Sequence, residues 1–234
     1  MPIADNIARV RERIDAAARR AGRNPGEVSL MAVSKTFPPE RIGEAYEAGL
    51  RLFGENRVQE FTGKQEAVRN LAGSEWHMIG HLQTNKAAKA AELFSGIDSV
   101  DSLRLAEKLS AAAEKESKKL AVLIEINVGG EAAKSGVDPA SAELDEILEA
   151  APRLVHLAIS GLMTIPPFSD DPQQARPYFR RLRELRDQIA ARRLSAVSTD
   201  VLSMGMSHDF EVAIEEGSTC VRVGTAIFGE RRII

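Results

Sequence analysis

The chain is poor in the features that most often mark a function. It has one cysteine, Cys220, so neither an intrachain disulfide nor a multi-cysteine metal site can form. Of its four histidines only His77 and His81 stand four apart, and they straddle the end of an expected strand rather than share one helix face, so they do not form a helical metal-ligand pair. No sign of charge dominates: 31 Lys plus Arg against 34 Asp plus Glu give a net charge of −3. That balance argues against a nucleic-acid binder that relies on bulk positive charge. No apolar run is long. The longest stretch without a charged residue, 154–169, has 16 residues and is broken by Pro166-Pro167, too short to span a bilayer. The N-terminus has no apolar signal core, and Asp5, Glu12 and Asp15 among its arginines count against a transit peptide. Linkers, low-complexity tracts and repeated motifs are also missing. The expectation left is a soluble, cytoplasmic protein with a single domain over residues 1–234.

What is present is an alternation of two periodicities. Ile3, Ile7, Val10 and Ile14 recur at helical spacing, and Gly22 with Asn24-Pro25-Gly26 stops that helix. The apolar run 28–34 has the length of a buried strand, Pro38-Pro39 opens a second helix, and Gly49 ends it. The pairing then repeats. Strands are expected at 50–54, 76–80, 97–100, 120–127, 154–161, 201–204 and 220–223. Helices fall between them, the fifth capped by Asp101 or Ser102, and a short one starts at Thr225. Strict alternation implies a parallel sheet. Eight units at about 29 residues each predict an α/β (β/α)₈ TIM barrel with an extra N-terminal helix. A doubly wound open sheet shares the pattern, because periodicity does not report closure.

In a barrel, chemistry sits on the loops after the strands. Lys35 follows an uninterrupted apolar strand, which places its amine at the barrel mouth with its stem among apolar groups. It reads either as a partly desolvated nucleophile for a carbonyl or as a lysine reaching water. Ser207 can cap a helix near His208 beside Gly205, and Gly224-Thr225 offers a glycine and a hydroxyl at another helix start. These loops, after the seventh and eighth strands, are where barrels often bind phosphate. A reactive lysine facing a phosphate cradle suits pyridoxal 5′-phosphate, and equally a sugar phosphate in a Schiff-base aldolase. Arg222 shares a strand face with Gly224. It can donate to a pyridine nitrogen, leaving the ring a weak electron sink, or pair with a nearby carboxylate. His81 and Lys134 are weaker candidates on neighbouring loops. Arg180, Arg181, Arg183 and Arg186, interleaved with Glu184 and Asp187, read as an exposed helix face.

Six segments carry a resemblance. They are Met31-Ala-Val-Ser-Lys-Thr36, Phe53-Gly-Glu-Asn-Arg-Val-Gln-Glu60, Trp76-His-Met-Ile-Gly-His-Leu-Gln-Thr-Asn-Lys86, Ser160-Gly-Leu-Met-Thr164, Leu202-Ser-Met-Gly-Met-Ser-His-Asp209 and Val221-Arg-Val-Gly-Thr-Ala-Ile-Phe-Gly229. In these the chain resembles the pyridoxal-phosphate homeostasis protein family, barrels similar to the N-terminal domain of alanine racemase. The resemblance runs from the first strand to the last. It implies that Lys35 forms an internal aldimine with pyridoxal 5′-phosphate. It also implies that Ser207, Gly224 and Thr225 hold the phosphate, that Arg222 lies near the pyridine nitrogen, and that Asn56 and His81 lie near the ring. Lys134 matches a lysine in the family's Glu131-Ala-Ala-Lys-Ser-Gly136 loop. The implied role is vitamin B6 and amino-acid balance, with pyridoxal-phosphate-dependent apo-enzymes as the recipients.

Three functions stand beside one another: a cofactor carrier, an amino-acid racemase and a cofactor-free aldolase. Racemisation needs acid–base groups on both faces of the bound substrate, and alanine racemases bring the second, a tyrosine, from another domain across a dimer. This chain ends at Ile234, its tyrosines Tyr46 and Tyr178 fall inside predicted helices, and Cys220 reads as core. The expectation is therefore a monomeric carrier without catalytic turnover.

Overall fold

Short runs rich in Val, Ile, Leu and Met form the strands, because such side chains pack on both faces of a sheet covered by helices. The computed structural model describes residues 2–131 and 135–230. Eight strands pair in sequence order, all parallel, and close into a barrel. They are β1 (Ser29–Val33), β2 (Leu52–Glu55), β3 (Glu75–Met78), β4 (Gly96–Val100), β5 (Leu120–Glu125), β6 (Leu157–Met163), β7 (Val197–Met206) and β8 (Cys220–Val223). The helices are α1 (Ile3–Arg20), α2 (Pro39–Glu47), α3 (Val58–Val68), α4 (Ala87–Leu93), α5 (Leu103–Lys115), α6 (Ala142–Ala150), α7 (Arg176–Ala191), α8 (Phe210–Glu215) and α9 (Thr225–Phe228). The open-sheet alternative is excluded by the β1–β8 pairing, in which Met31 faces Arg222 and Ala32 faces Val223.

The alternation of side chains across each strand separates two environments. Outward residues such as Ala32, Phe53 and Val221 join the large core between sheet and helices. Inward residues Met31, Val33, Ile79 and Cys220 form a small cluster inside the barrel. Trp76 lies 4.8 Å from Phe53 and 4.7 Å from Phe61, and Phe61 lies 4.9 Å from Phe94, so an aromatic layer fastens α3 to β2 and β3. Each buried ring contributes roughly 1.5–3 kcal/mol from area alone.

Caps set several boundaries. Ser102, not Asp101, caps α5, its hydroxyl accepting from the amide of Leu105. Gly49 follows α2 in the left-handed region (φ +89°), as its place in the sequence suggests. β7 runs well beyond the expected 201–204, because Val197 to Asp200 join it despite their polarity. The irregular β6–β7 register centres on Gly161, where any Cβ would sit 1.9 Å from the carbonyl oxygen of Val201.

The added helix α1 buries Ile3, Ile7, Val10 and Ile14, as its spacing implies, and packs chiefly on α8 and α9. Asn6 donates to the carbonyl of Ile227 at 2.7 Å, and Arg13 makes a two-pronged bond to Glu211 at 2.8 and 2.9 Å. The α7 arginines keep the expected solvated face in part, with Arg180 and Arg181 exposed and Arg183 and Arg186 half-buried, but they are not without partners. Arg180 and Arg183 turn, with Arg176, onto the buried carboxylate of Glu216 at the end of α8, while Arg181 donates to the carbonyl of Val128. The sequence shows their spacing but not that a carboxylate from the next helix lies under them.

Burial alone would raise the Glu216 carboxyl pKa. Bonds from Arg180 and Arg176, together with the Arg180 and Arg183 charges, outweigh it and hold the group below the ordinary 4.5. A depressed carboxyl stabilises the fold above its unfolded pKa, and the stabilisation is lost as pH falls through the lower folded value. Because the arginines are partly solvated, Glu216→Gln should cost about 1–2 kcal/mol at pH 7. Denaturant unfolding should find this gap narrowing below pH 4.5. A gap of the same size at pH 3 and pH 7 would contradict the assignment.

Candidate site at the barrel mouth

Lys35 lies one residue beyond Ser34, just past β1, at the C-terminal end of the barrel. The Ser34 hydroxyl turns outward and donates to Glu55 at 2.7 Å, so the alternation sends Lys35 inward with Met31 and Val33. There it lines a cavity of about 250 Å³ whose wall also includes Asn56, Ser207, Arg222, Gly224 and Thr225. Six of the seven residues expected at the site therefore meet in one concavity.

The two glycine-bearing loops join differently from expectation. Ser207 does not cap the helix that follows it. Its oxygen accepts from the amides of Gly224 at 3.2 Å and Ala226 at 3.3 Å, across from the β7 loop to the start of α9. The helix start near His208 is organised by Asp209, whose carboxylate accepts from the amide of Met206 at 2.6 Å. Gly205 (φ +93°) permits close approach to α8 rather than to a ligand, since a Cβ there would lie 2.5 Å from Cβ of Ala213. The physical reason is reach: the closed sheet sets β7 beside β8, so a hydroxyl past β7 meets amides past β8.

Arg222 forms part of the cavity wall and is buried. One terminal nitrogen donates to the Ser203 carbonyl at 2.7 Å and its hydroxyl at 2.8 Å; the other donates to the Thr164 carbonyl at 2.8 Å. Neutral oxygens on β7 and the β6 loop, rather than a loop carboxylate, fix the guanidinium. Burial pushes its pKa down, against the raising influence of Cys220, Asp98, Glu125 and Asp209.

His81 lies outside this cavity. It is exposed, bonds Asp101 at 3.0 Å, and borders a neighbouring depression with Arg57 and Gln83 that Asn56 also lines. Lys134 lies outside the described residues. The structure adds a wall that the sequence reading missed: Ile165, Pro166, Pro167 and Phe168, from the loop after β6, form an apolar lip. Phe168 is 81% exposed, and its ring lies 6.0 Å from that of His208. The Pro-Pro pair following Gly161-Leu-Met-Thr164 was the available signal. Glu125, at the end of β5, is buried with Oε2 unpartnered; burial raises its pKa, partly offset by the Ser135 hydroxyl.

Comparison with known proteins follows the same outline. The alanine racemase N-terminal domain family matches residues 6–232. A pyridoxal phosphate homeostasis protein of Aquifex aeolicus is 50% identical over 232 residues, covering 99% of this chain and 100% of the relative. The chain belongs to the pyridoxal phosphate homeostasis family. A family member from Escherichia coli K12 is 46% identical, over 98% of this chain and 97% of its own. The solved structure of PipY from Synechococcus elongatus with pyridoxal phosphate bound is 36% identical with a TM-score of 0.81. It covers 97% of this chain and 100% of PipY. The alanine racemase of Streptomyces coelicolor, at 20% identity and a TM-score of 0.68, shares the fold; the match spans 94% of this chain and 57% of the racemase.

In this homeostasis-family barrel Cys220 lies on the inner face of β8, packed with Met31, Val33 and Ile79. Burial pushes its thiol from 9.0 up to about 12. That difference of about three units lowers the thiolate fraction near pH 8 roughly a thousandfold. A disulfide reagent should therefore modify Cys220 at least a hundredfold more slowly in the native protein than in urea. Comparable rates would mean that the thiol is available for chemistry.

Proposed function

We propose that this chain binds pyridoxal 5′-phosphate at the barrel mouth, attaches it through Lys35, and serves cofactor supply instead of a turnover reaction. The observation that carries this reading is the convergence on one cavity of the Lys35 amine, the Arg222 guanidinium and the Ser207–Gly224–Ala226 turn. The name shared by the Aquifex and Escherichia coli relatives, and the pyridoxal phosphate in PipY, support it.

The residues fit the group. Phosphate requires several donors in one place, and the Ser207 and Thr225 hydroxyls supply them beside the first turn of α9, with the Gly224 amide holding the Ser207 oxygen in position. The ring requires apolar walls, which Val33, Ile79 and the Ile165–Phe168 lip offer. Arg222 presents only N–H groups and cannot accept a proton, so a ring nitrogen beside it stays an acceptor. When bound, pyridoxal 5′-phosphate supplies an aldehyde that condenses with a primary amine, releasing water. Lys35 is the cavity's amine, and its inward orientation is set by the outward turn of Ser34.

The same wall disfavours racemisation. Tyr46, in the last turn of α2, donates to the Ala72 carbonyl at 3.0 Å, and Tyr178 belongs to α7; neither lines the cavity. Cys220 is buried with a raised pKa. Each missing general acid or base forfeits about 10²–10⁴ in rate. A site that can hold an aldehyde and exchange it with amines, with no tyrosine or cysteine among the described residues that line it, suits a carrier that hands cofactor to apo-enzymes.

Two outcomes check this reading. After borohydride reduction of the cofactor-loaded protein, peptide mapping should find the pyridoxyl group on Lys35; a group chiefly on another lysine would overturn the assignment. Ser207→Ala and Thr225→Ala should each weaken pyridoxal 5′-phosphate binding by roughly 1.5–3 kcal/mol while pyridoxal, without phosphate, binds nearly as before. Equal losses for the two ligands, measured by equilibrium dialysis, would place the phosphate elsewhere.

A further inference from the structure

A buried charge cluster flanks Lys35 without touching the cavity. Lys64, on the inner face of α3, is 8% exposed, and Glu55, at the end of β2, is fully buried. The Lys64 ammonium donates to the Ser34 carbonyl at 3.0 Å, to Glu55 at 3.2 Å and to Glu60 at 2.6 Å. An ammonium has three donors, and all are engaged here. Glu55 accepts from the Ser34 hydroxyl at 2.7 Å, and Glu60 accepts from the Thr36 amide at 2.5 Å. The residue on each side of Lys35 is therefore tied to the same ammonium, one directly and through Glu55, the other through Glu60.

The geometry points to Lys64 as a positioning residue for Lys35, an inference that rests on the reading of Lys35 as the attachment amine. Thr36 occupies the left-handed region (φ +69°), where a β-branched residue is seldom found without external support. The Glu60 carboxylate at its amide provides that support. Ser34, held outward by two bonds into the cluster, fixes the opposite, inward direction for the next side chain. None of Lys64, Glu55 or Glu60 lines the cavity, so whatever they do for a ligand passes through the backbone of residues 34–36. Packing alone does not call for three charges here, since apolar side chains of similar volume would fill the space at no greater cost. Burial raises the Glu55 pKa against the pull of Lys64 and Ser34. Glu60 is also raised by burial, but the Lys64 bond, the Thr36 amide and the Lys64 and Arg57 charges carry it below its ordinary value.

The test separates placing the amine from shaping the pocket. It compares, in the full chain, the rate at which pyridoxal 5′-phosphate becomes covalently attached with the affinity for pyridoxine 5′-phosphate, whose alcohol cannot attach. Lys64→Met should slow attachment about tenfold to a hundredfold, the scale of a misplaced reacting group. Pyridoxine 5′-phosphate affinity should change less than about twofold, and Lys64→Arg should recover most of the rate. Glu60→Ala, at a half-buried position, removes the acceptor of the Thr36 amide and one of the Lys64 contacts, leaving Lys64 on the Ser34 carbonyl and Glu55. It should give the same split at smaller amplitude, and it carries the test if Lys64→Met does not fold. Parallel loss of rate and affinity would reduce Lys64 to a structural role, and an unchanged rate would refute the proposal. A wild-type protein that binds both ligands without attachment would overturn the reading of Lys35 itself, before any variant is compared.

Discussion

The seam between β1 and β8 is the constraint from which the site follows. Ser29 to Ala32 pair with Cys220 to Val223, so the first strand and the last lie side by side although nearly the whole chain separates them. That pairing sets Lys35 next to Gly224 and Thr225, and closure sets β7, with Ser207 beyond it, on the other flank. An open sheet with the same elements would leave the amine and the proposed phosphate donors at opposite edges. The added helix α1 lies across this seam on α8 and α9, where Asn6 and Arg13 hold the two helices that begin at the donor loops. The pairing that closes the barrel is also the one that brings the site residues together.

Around that seam, buried charge is organised differently on the two sides of the sheet. Inside the barrel Arg222 is held by carbonyl and hydroxyl oxygens, leaving a fixed cation at the cavity wall. Outside, Lys64 gathers Glu55 and Glu60 beneath the Lys35 turn, and Glu216 gathers arginines beneath α7. The Lys64 cluster acts on backbone that leads into the mouth, whereas the Glu216 cluster fastens α7 to the end of α8. Such arrangements add little to stability per charge, but each accepts only one geometry. The proposed capture of an aldehyde requires that definition more than it requires flexible reach.

Much of this could be read from the residues. The short apolar strands and the glycine and proline stops were enough for eight alternating strand–helix units, while closure shows only in the β1–β8 pairing. Strand-end position and side-chain alternation were enough to put Lys35, Arg222, Gly224 and Thr225 around one mouth, and the family resemblance added Asn56. The sequence was silent where partners come from distant segments. That Ser207 serves the amides of Gly224 and Ala226 depends on the neighbouring of β7 and β8. That Lys64 reaches Ser34 depends on how α3 packs against β1 and β2. His81 is a different case: its loop position left the mouth and a local hydrogen bond equally open, and the structure shows the local bond, to Asp101, outside the cavity. The Ile165–Phe168 lip passed unnoticed because an apolar loop has no period to betray it.

The central claim is that the mouth holds its cofactor and exchanges it with amines without performing turnover. Incubating the loaded protein with L-alanine in deuterated water addresses both halves at once. The visible absorption should shift as the amine exchanges, while the α-carbon of alanine, followed by NMR, should gain no deuterium above the rate seen with free pyridoxal 5′-phosphate. Steady incorporation at enzyme-like rates that Lys35→Ala abolishes would contradict the account and make this barrel an enzyme.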